Sequence, residues 1–139
     1  MKVHTTNYIN TFIEVADDCP AETGEIPPVK KSEKTIAAIL FELINENPYR
    51  YTSDEIIFKC FVIKNNIKES EISKNREAFF SKGQACLRSS PLTKRYGYGI
   101  HFNGEGKIAL YGLETEEYKK LSKDKNLRVV KAMRSKKNK

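Results

Sequence analysis

Alternating polar and apolar positions near the start of the chain predict a β-strand over Asn7–Ala16. The segment is rich in β-branched and aromatic residues, which favour strands. Asp17 and Asp18 end it, and Pro20 and Gly24 begin an irregular connection. The first predicted element is therefore a short N-terminal strand.

Apolar residues at helical spacing follow. Ser32 is the expected N-cap of a helix that runs to about Asn47, because Pro48 disfavours helical geometry in the residue before it. A second helix is predicted over Ser53–Lys64, although its apolar run also fits a buried strand. Thr52-Ser53-Asp54-Glu55 has the sequence of a capping box at its start.

A third helix is predicted over Glu69–Lys82, followed by a polar loop over Gln84–Arg95. Two strands, Tyr96–Phe102 and Lys107–Tyr111, then flank the turn sequence Asn-Gly-Glu-Gly and predict a β-hairpin. A short helix over Glu114–Ser122 completes the pattern.

Together these elements predict the α+β class. The N-terminal strand and the hairpin should form a small antiparallel sheet with three to four helices packed on one face. A winged helix has the same order of elements: a helix, a short extended piece, two helices and a hairpin. The third helix, however, mixes Glu71 and Glu77 with Lys74 and Arg76, unlike a basic recognition helix.

Net charge divides the chain in two. The chain carries +7 over 139 residues, and the eight Lys/Arg and one Asp of Lys123–Lys139 account for all of it. We therefore predict a neutral single domain over residues 1–122 and a basic C-terminal tail over 123–139. Such a tail is usually a solvated end and does not by itself make the body a nucleic-acid binder.

Several classes of function lose support from the sequence. No apolar run is long enough to span a bilayer, so we expect no membrane partner. Cys19, Cys60 and Cys86 are odd in number and widely spaced, which indicates a reducing compartment and predicts a cytoplasmic protein. His4 and His101 lack metal-ligand spacing, and there is no glycine-rich nucleotide motif, so we expect no metal and no cofactor.

The richest chemistry lies in the carboxylate-free segment between residues 88 and 101. Its basic, hydroxyl and aromatic side chains match an anion or phosphate site, and the expected partner is an anionic ligand or nucleic acid. Gly97 and Gly99 indicate close approach, either of a ligand or of a helix packed on that face. The candidate binding residues are Arg88, Ser89, Ser90, Lys94, Arg95, Tyr96, Tyr98 and His101.

An enzyme is the alternative. Cys86 has basic neighbours in sequence, which favour a thiolate, and His101 would serve as its base if the fold brought the two together in a pocket beside the glycines. The competing interpretation of Cys86 is an inert, buried thiol.

Two strings carry a family resemblance: Arg-Ser-Ser-Pro-Leu at residues 88–92 and Lys-Arg-Tyr-Gly-Tyr-Gly-Ile-His at residues 94–101. With Met1–Tyr8 and Ala132–Lys136, they resemble a family of small bacterial proteins known as a domain of unknown function. The family string has Trp where this chain has Tyr98. The resemblance implies a bacterial, cytoplasmic, single-domain protein whose basic C-terminus belongs to it, and it implies no activity.

Overall fold

A computed structural model describes residues 5–28, 35–84 and 86–134. The elements in chain order are β1 (Thr11–Glu14), α1 (Ile36–Asn45), α2 (Ser53–Lys64), α3 (Ile72–Phe80), α4 (Pro91–Lys94), β2 (Tyr98–Phe102), β3 (Ile108–Gly112), α5 (Glu116–Ser122) and β4 (Arg128–Lys131).

The strands form one four-stranded sheet in the order β3-β2-β1-β4. β1, β2 and β3 pair antiparallel, as the sequence predicts, with Phe12 opposite His101. β4 pairs parallel to β1, with Thr11 opposite Arg128. The α+β class is confirmed, and the sheet is mixed where we predicted a purely antiparallel one.

Local capping signals explain where the first two helices begin. Thr35 caps α1, its side chain accepting a hydrogen bond from the backbone N–H of Ala38 at 3.1 Å, whereas the expected cap Ser32 lies outside the described residues. α2 begins with the predicted capping box, in which Thr52 Oγ1 accepts from Glu55 N and the Glu55 carboxylate accepts from Thr52 N. This reciprocal pair satisfies donors that every helix start leaves open, so α2 forms where the sequence predicts it.

The main core lies between one face of the sheet and the helices α1, α2 and α4. Ile13 and Ile100 come from neighbouring strands and meet Leu40, Ile44 and Ile56 of the first two helices. All of these side chains are buried. Within the described residues, this cluster of buried apolar side chains is the main source of hydrophobic stabilisation.

The opposite face of the sheet is also covered, which corrects the prediction that all helices pack on one side. The rings of Phe12 in β1 and Tyr118 in α5 meet edge to face with centroids 5.0 Å apart. Tyr118 Oη also accepts a hydrogen bond from Val15 N at 2.9 Å. A fully buried Phe12 needs such a cover, and α5 supplies it.

Part of the winged-helix order is present. Between α1 and α2 the chain runs along β3, with Tyr49 N donating to Ile108 O, Ile108 N donating to Tyr51 O, and a bridge from Thr52 to Lys107. The hairpin does not project as a free wing, because β2 also pairs with β1.

The segment we predicted as a basic tail contributes to the fold. Its residues Arg128–Lys131 form β4, and Ala132 N donates to Glu14 O beyond the end of the strand. Val129 and Val130 are the physical reason, since two consecutive β-branched residues suit a partly buried strand. The ordered fold therefore continues past residue 122, at least to Arg134.

Candidate functional site

The segment we predicted as a polar loop has its own helical structure. One 3₁₀ turn covers Leu87–Ser89, and Ser90 caps α4 by accepting a hydrogen bond from Leu92 N at 3.0 Å. Pro91 occupies the first helical position, where its missing N–H costs nothing. Leu87 and Leu92 are buried in the main core, so the basic side chains of this segment project from an anchored backbone.

The end of β4 docks directly on this segment. Met133 N donates to Arg88 O at 2.8 Å, and Arg88 Nε donates to Lys131 O at 2.9 Å. The hydroxyl of Ser89 donates to the Met133 sulfur at 3.1 Å. Two basic stretches that are 43 residues apart in sequence thereby become neighbours. We call Arg88, Lys131 and Arg134 the C-terminal cationic surface.

Asp17 partly neutralises this surface. Its carboxylate accepts from Lys131 Nζ at 2.6 Å and lies 3.3 Å from Arg134 Nη2. The hydrogen bond from Lys131, followed by that from Arg134, lowers the pKa of Asp17, and the same contact raises the pKa of Lys131. The Lys131 and Arg134 side chains remain 58% and 42% exposed, so both cations face solvent. Exposed ion pairs of this kind contribute little to stability, so a phosphate can compete with Asp17 for these cations at low cost.

Lys94 and Arg95 lie close to the same region. Thr93 O accepts a hydrogen bond from Ala16 N, which places the end of α4 beside the residue that precedes Asp17. Lys94 is half-buried and Arg95 is exposed. Ser90, by contrast, is buried as a helix cap.

The predicted site residues Tyr96 and Tyr98 do not join the C-terminal cationic surface. Tyr98 packs against Phe41 with ring centroids 5.4 Å apart, and burial raises its pKa, aided by Glu114 and Glu25. Tyr96 is half-buried, and its carbonyl accepts from Glu25 N. Neither ring stands free as a stacking platform.

His101 lies on the face of the sheet opposite to Tyr98 and the main core. It belongs to a cluster that the sequence did not indicate. Tyr49 Oη is 2.8 Å from His101 Nδ1 and 2.6 Å from Tyr111 Oη. Burial lowers the pKa of His101, against a smaller opposing effect of Asp124, and burial raises that of Tyr49. Tyr49 adopts a left-handed backbone conformation (φ 58°), which is uncommon for a bulky residue. No local pattern could reveal this cluster, because three separate segments build it.

Cys86 lies on the main-core side of the sheet. Tyr8 Oη donates to its sulfur at 3.7 Å, and Cys86 and Cys60 line one cavity there. Burial raises the pKa of Cys60 to about 11. The structure therefore does not bring Cys86 and His101 together, because the sheet lies between them.

The space beside the two glycines is filled by the protein itself. A Cβ on Gly99 would lie 2.5 Å from the Phe12 ring and 2.7 Å from the Tyr118 ring. Gly97 has a φ of 80°, and a Cβ there would clash with the backbone oxygen of Thr23. Of the two interpretations of the glycine face, the structure agrees with the packed helix for Gly99.

Two other kinds of feature, a metal-binding cluster and a membrane-spanning helix, are absent from the described residues. In the described part of the chain, no three His, Cys, Asp or Glu side chains gather as potential metal ligands. Over the same ranges, every helix is too short or too polar to cross a bilayer.

Fold and surface define a small α+β protein with a mixed sheet and basic residues gathered where its last strand meets an internal loop. The chain belongs to a family of unknown function (DUF6157), whose family model matches residues 3–138. The match includes the basic C-terminal segment through residue 138. No curated protein and no solved structure matches the chain.

Proposed function

We propose that this protein is a non-enzymatic module that binds an anionic partner, the phosphate backbone of a nucleic acid, through the C-terminal cationic surface. The observation that carries the proposal is the docking of Met133 and Lys131 on Arg88, which joins two basic segments. In sequence, Lys136, Lys137 and Lys139 continue the charge directly after Arg134.

Contact with phosphate is favoured over reading of bases. Arg88, Lys131 and Arg134 supply the charged donors that phosphates attract. Base recognition on a single strand needs open aromatic faces, and Tyr98 is instead packed on Phe41. We therefore expect binding that depends strongly on salt and weakly on sequence.

The proposed setting is the bacterial cytoplasm. Free thiols at Cys19, Cys60 and Cys86 agree with a reducing compartment, and the family resemblance implies the bacterial origin. The alternative enzyme gains no support from the geometry, because its two named residues face opposite sides of the sheet.

The test compares two triple variants of the full chain with equal net charge. One carries Arg88→Gln, Lys131→Gln and Arg134→Gln. The matched control, Lys74→Gln, Lys119→Gln and Lys120→Gln, neutralises three exposed lysines of α3 and α5. Binding to a fluorescently labelled DNA duplex is measured by anisotropy from about 50 to 200 mM salt.

Loss of three phosphate contacts should flatten the slope of log association constant against log salt by about 2.7. Between about 50 and 200 mM salt, the association constant of the wild type should therefore fall about 40-fold more than that of the triple variant. The control should keep the wild-type slope. Equal weakening by both variants would mean that net charge alone drives binding and would refute the proposed surface. Arg134→Gln alone, which leaves the Arg88 contacts intact, should flatten the slope by about 0.9 and guards against misfolding of the triple variant.

A further inference from the structure

A mostly apolar cavity of about 290 Å³ lies between α1, the second half of α2, Gln84 and the segment 86–91. Leu40, Ile57, Phe61 and Phe79 are among the side chains that form its walls. Ligand pockets in proteins measure roughly 300–1,000 Å³, so this cavity suits a small molecule.

The cavity walls favour an uncharged occupant. No carboxylate lines the cavity in the described residues, and the one charged side chain among the described lining residues, Lys64, is exposed to solvent. Cys60 is 6% exposed, and its raised pKa keeps the thiol neutral at physiological pH. A neutral thiol behaves as a small apolar group, whereas transfer of a charged ligand into such surroundings is costly.

One polar group in the wall has unused hydrogen-bonding capacity. Ser90 is 4% exposed and lines the cavity, and its Oγ accepts from Leu92 N. Over the described ranges, its own hydroxyl proton has no acceptor. A buried donor without an acceptor is unfavourable, so a ligand that offers a carbonyl oxygen would gain a hydrogen bond here.

We propose that this cavity binds a small, uncharged ring compound that carries a carbonyl group, with the ring against Leu40, Ile57 and Phe61 and the oxygen accepting from Ser90. The cavity adjoins the C-terminal cationic surface through Ser89, but it does not include the three cations of that surface. The two proposals use different probes, so failure of the cavity proposal would not decide the proposed nucleic-acid binding.

Two probe molecules of similar shape test the proposal on the full chain. Acetophenone has an aromatic ring and a carbonyl, and isopropylbenzene replaces the carbonyl with an apolar branch. Binding is followed by chemical-shift titration, and occupancy by protection of Cys86 from iodoacetamide, with peptide mass spectrometry as the readout. Cys19 is a half-buried thiol outside the cavity and serves as the internal control.

Acetophenone should bind saturably, and Ser90→Ala should weaken its binding at least about threefold, as expected for the loss of one net hydrogen bond, while leaving isopropylbenzene binding unchanged. It should slow alkylation of Cys86 and leave that of Cys19 unchanged. Absence of binding by both probes, as would follow if another part of this chain fills the cavity, overturns the proposal. An unchanged affinity of Ser90→Ala for acetophenone, or equal protection of both thiols, also overturns it.

Two substitutions distinguish the contribution of the apolar cavity wall to binding from that of the Ser90 hydroxyl. Ile57→Trp should fill the cavity from a half-buried position and abolish binding of both probes. Ser90→Ala, which also loses the cap on α4, should weaken acetophenone binding and leave isopropylbenzene binding unchanged. Ser122→Ala, which removes a hydroxyl outside the cavity, should leave the binding of both probes unchanged. Loss of isopropylbenzene binding in Ser90→Ala, with an unchanged fold, would contradict the role given to the hydroxyl.

Discussion

Gly99 provides the sharpest test of the packing between β2 and α5. A methyl group at this position would lie 2.5 Å from Cζ of Phe12 and 2.7 Å from Cε2 of Tyr118. Phe12 is fully buried and cannot swing into solvent. Without a clash, Gly→Ala in a strand would stabilise the protein by about 0.5–1 kcal/mol.

Overpacking of a closed site typically costs 1–3 kcal/mol, and two fixed rings place Gly99→Ala near the upper end, at about 3 kcal/mol. For a chain of this length that loss lowers Tm by roughly 10 °C. Urea unfolding followed by circular dichroism measures the free energy, and a thermal scan measures Tm.

Gly104→Ala is the matched control, because its nearest neighbour would be Asn10 Oδ1 at 3.5 Å and its φ is not positive. Adding Phe12→Leu to Gly99→Ala should recover at least about 1 kcal/mol relative to the sum of the single effects. A neutral or stabilising Gly99→Ala would refute the packing of Phe12 and Tyr118 on this glycine.

Three further predictions concern a helix cap, an ion pair and a histidine. Thr52→Ala should lower the free energy of unfolding by about 1 kcal/mol, and Thr52→Ser should restore it; equal urea midpoints for all three proteins would contradict the cap. Asp17→Asn should destabilise the protein at neutral pH but not in acid. The pKa of Asp17 is lowered in the folded state, so the carboxylate stabilises the fold above pH 3.8, its ordinary pKa, and this contribution is lost as pH falls through the folded-state pKa. An unfolding difference that persists at pH 2 would contradict this linkage. The pKa of His101, measured by NMR, should lie below 6.5 because burial lowers it. The free energy of unfolding should therefore fall as pH drops from 6.5 toward the folded-state pKa, and His101→Gln should lose this pH dependence. A measured pKa at or above 6.5 would contradict the burial of His101.

Local chemistry explains which elements the sequence predicted well. The capping box at Thr52 and Glu55 defines α2 within the chain itself, and the Asn-Gly-Glu-Gly turn defines the hairpin. Both signals act between residues close in sequence, so no knowledge of the tertiary structure is required.

Elements that depend on distant partners were harder to predict. β4 is a four-residue strand whose two valines lie among lysines and arginines, and its partner is the distant strand β1, with which it pairs in parallel. Its charge pattern resembled a solvated tail, and only Val129-Val130 hinted at a strand. α4 is a single turn whose buried Leu92 has no helical repeat to reveal it.

The candidate site follows the same division. Arg88 was identified from its basic, carboxylate-free surroundings, whereas Lys131 and Arg134 were assigned to the tail and missed as its neighbours. Alternation along β2 separates His101 from the loop, because neighbouring strand residues point to opposite faces. The pairing of Arg88 with the end of β4 is a tertiary contact that spacing in the sequence does not encode.

Salt dependence of nucleic-acid binding by the unmodified chain tests the central claim most directly. If the C-terminal cationic surface neutralises at least three phosphates, log K for a mixed-sequence duplex should fall linearly with log salt at a slope of about −2.7 or steeper. A slope near zero, or no binding at low salt, would contradict the claim.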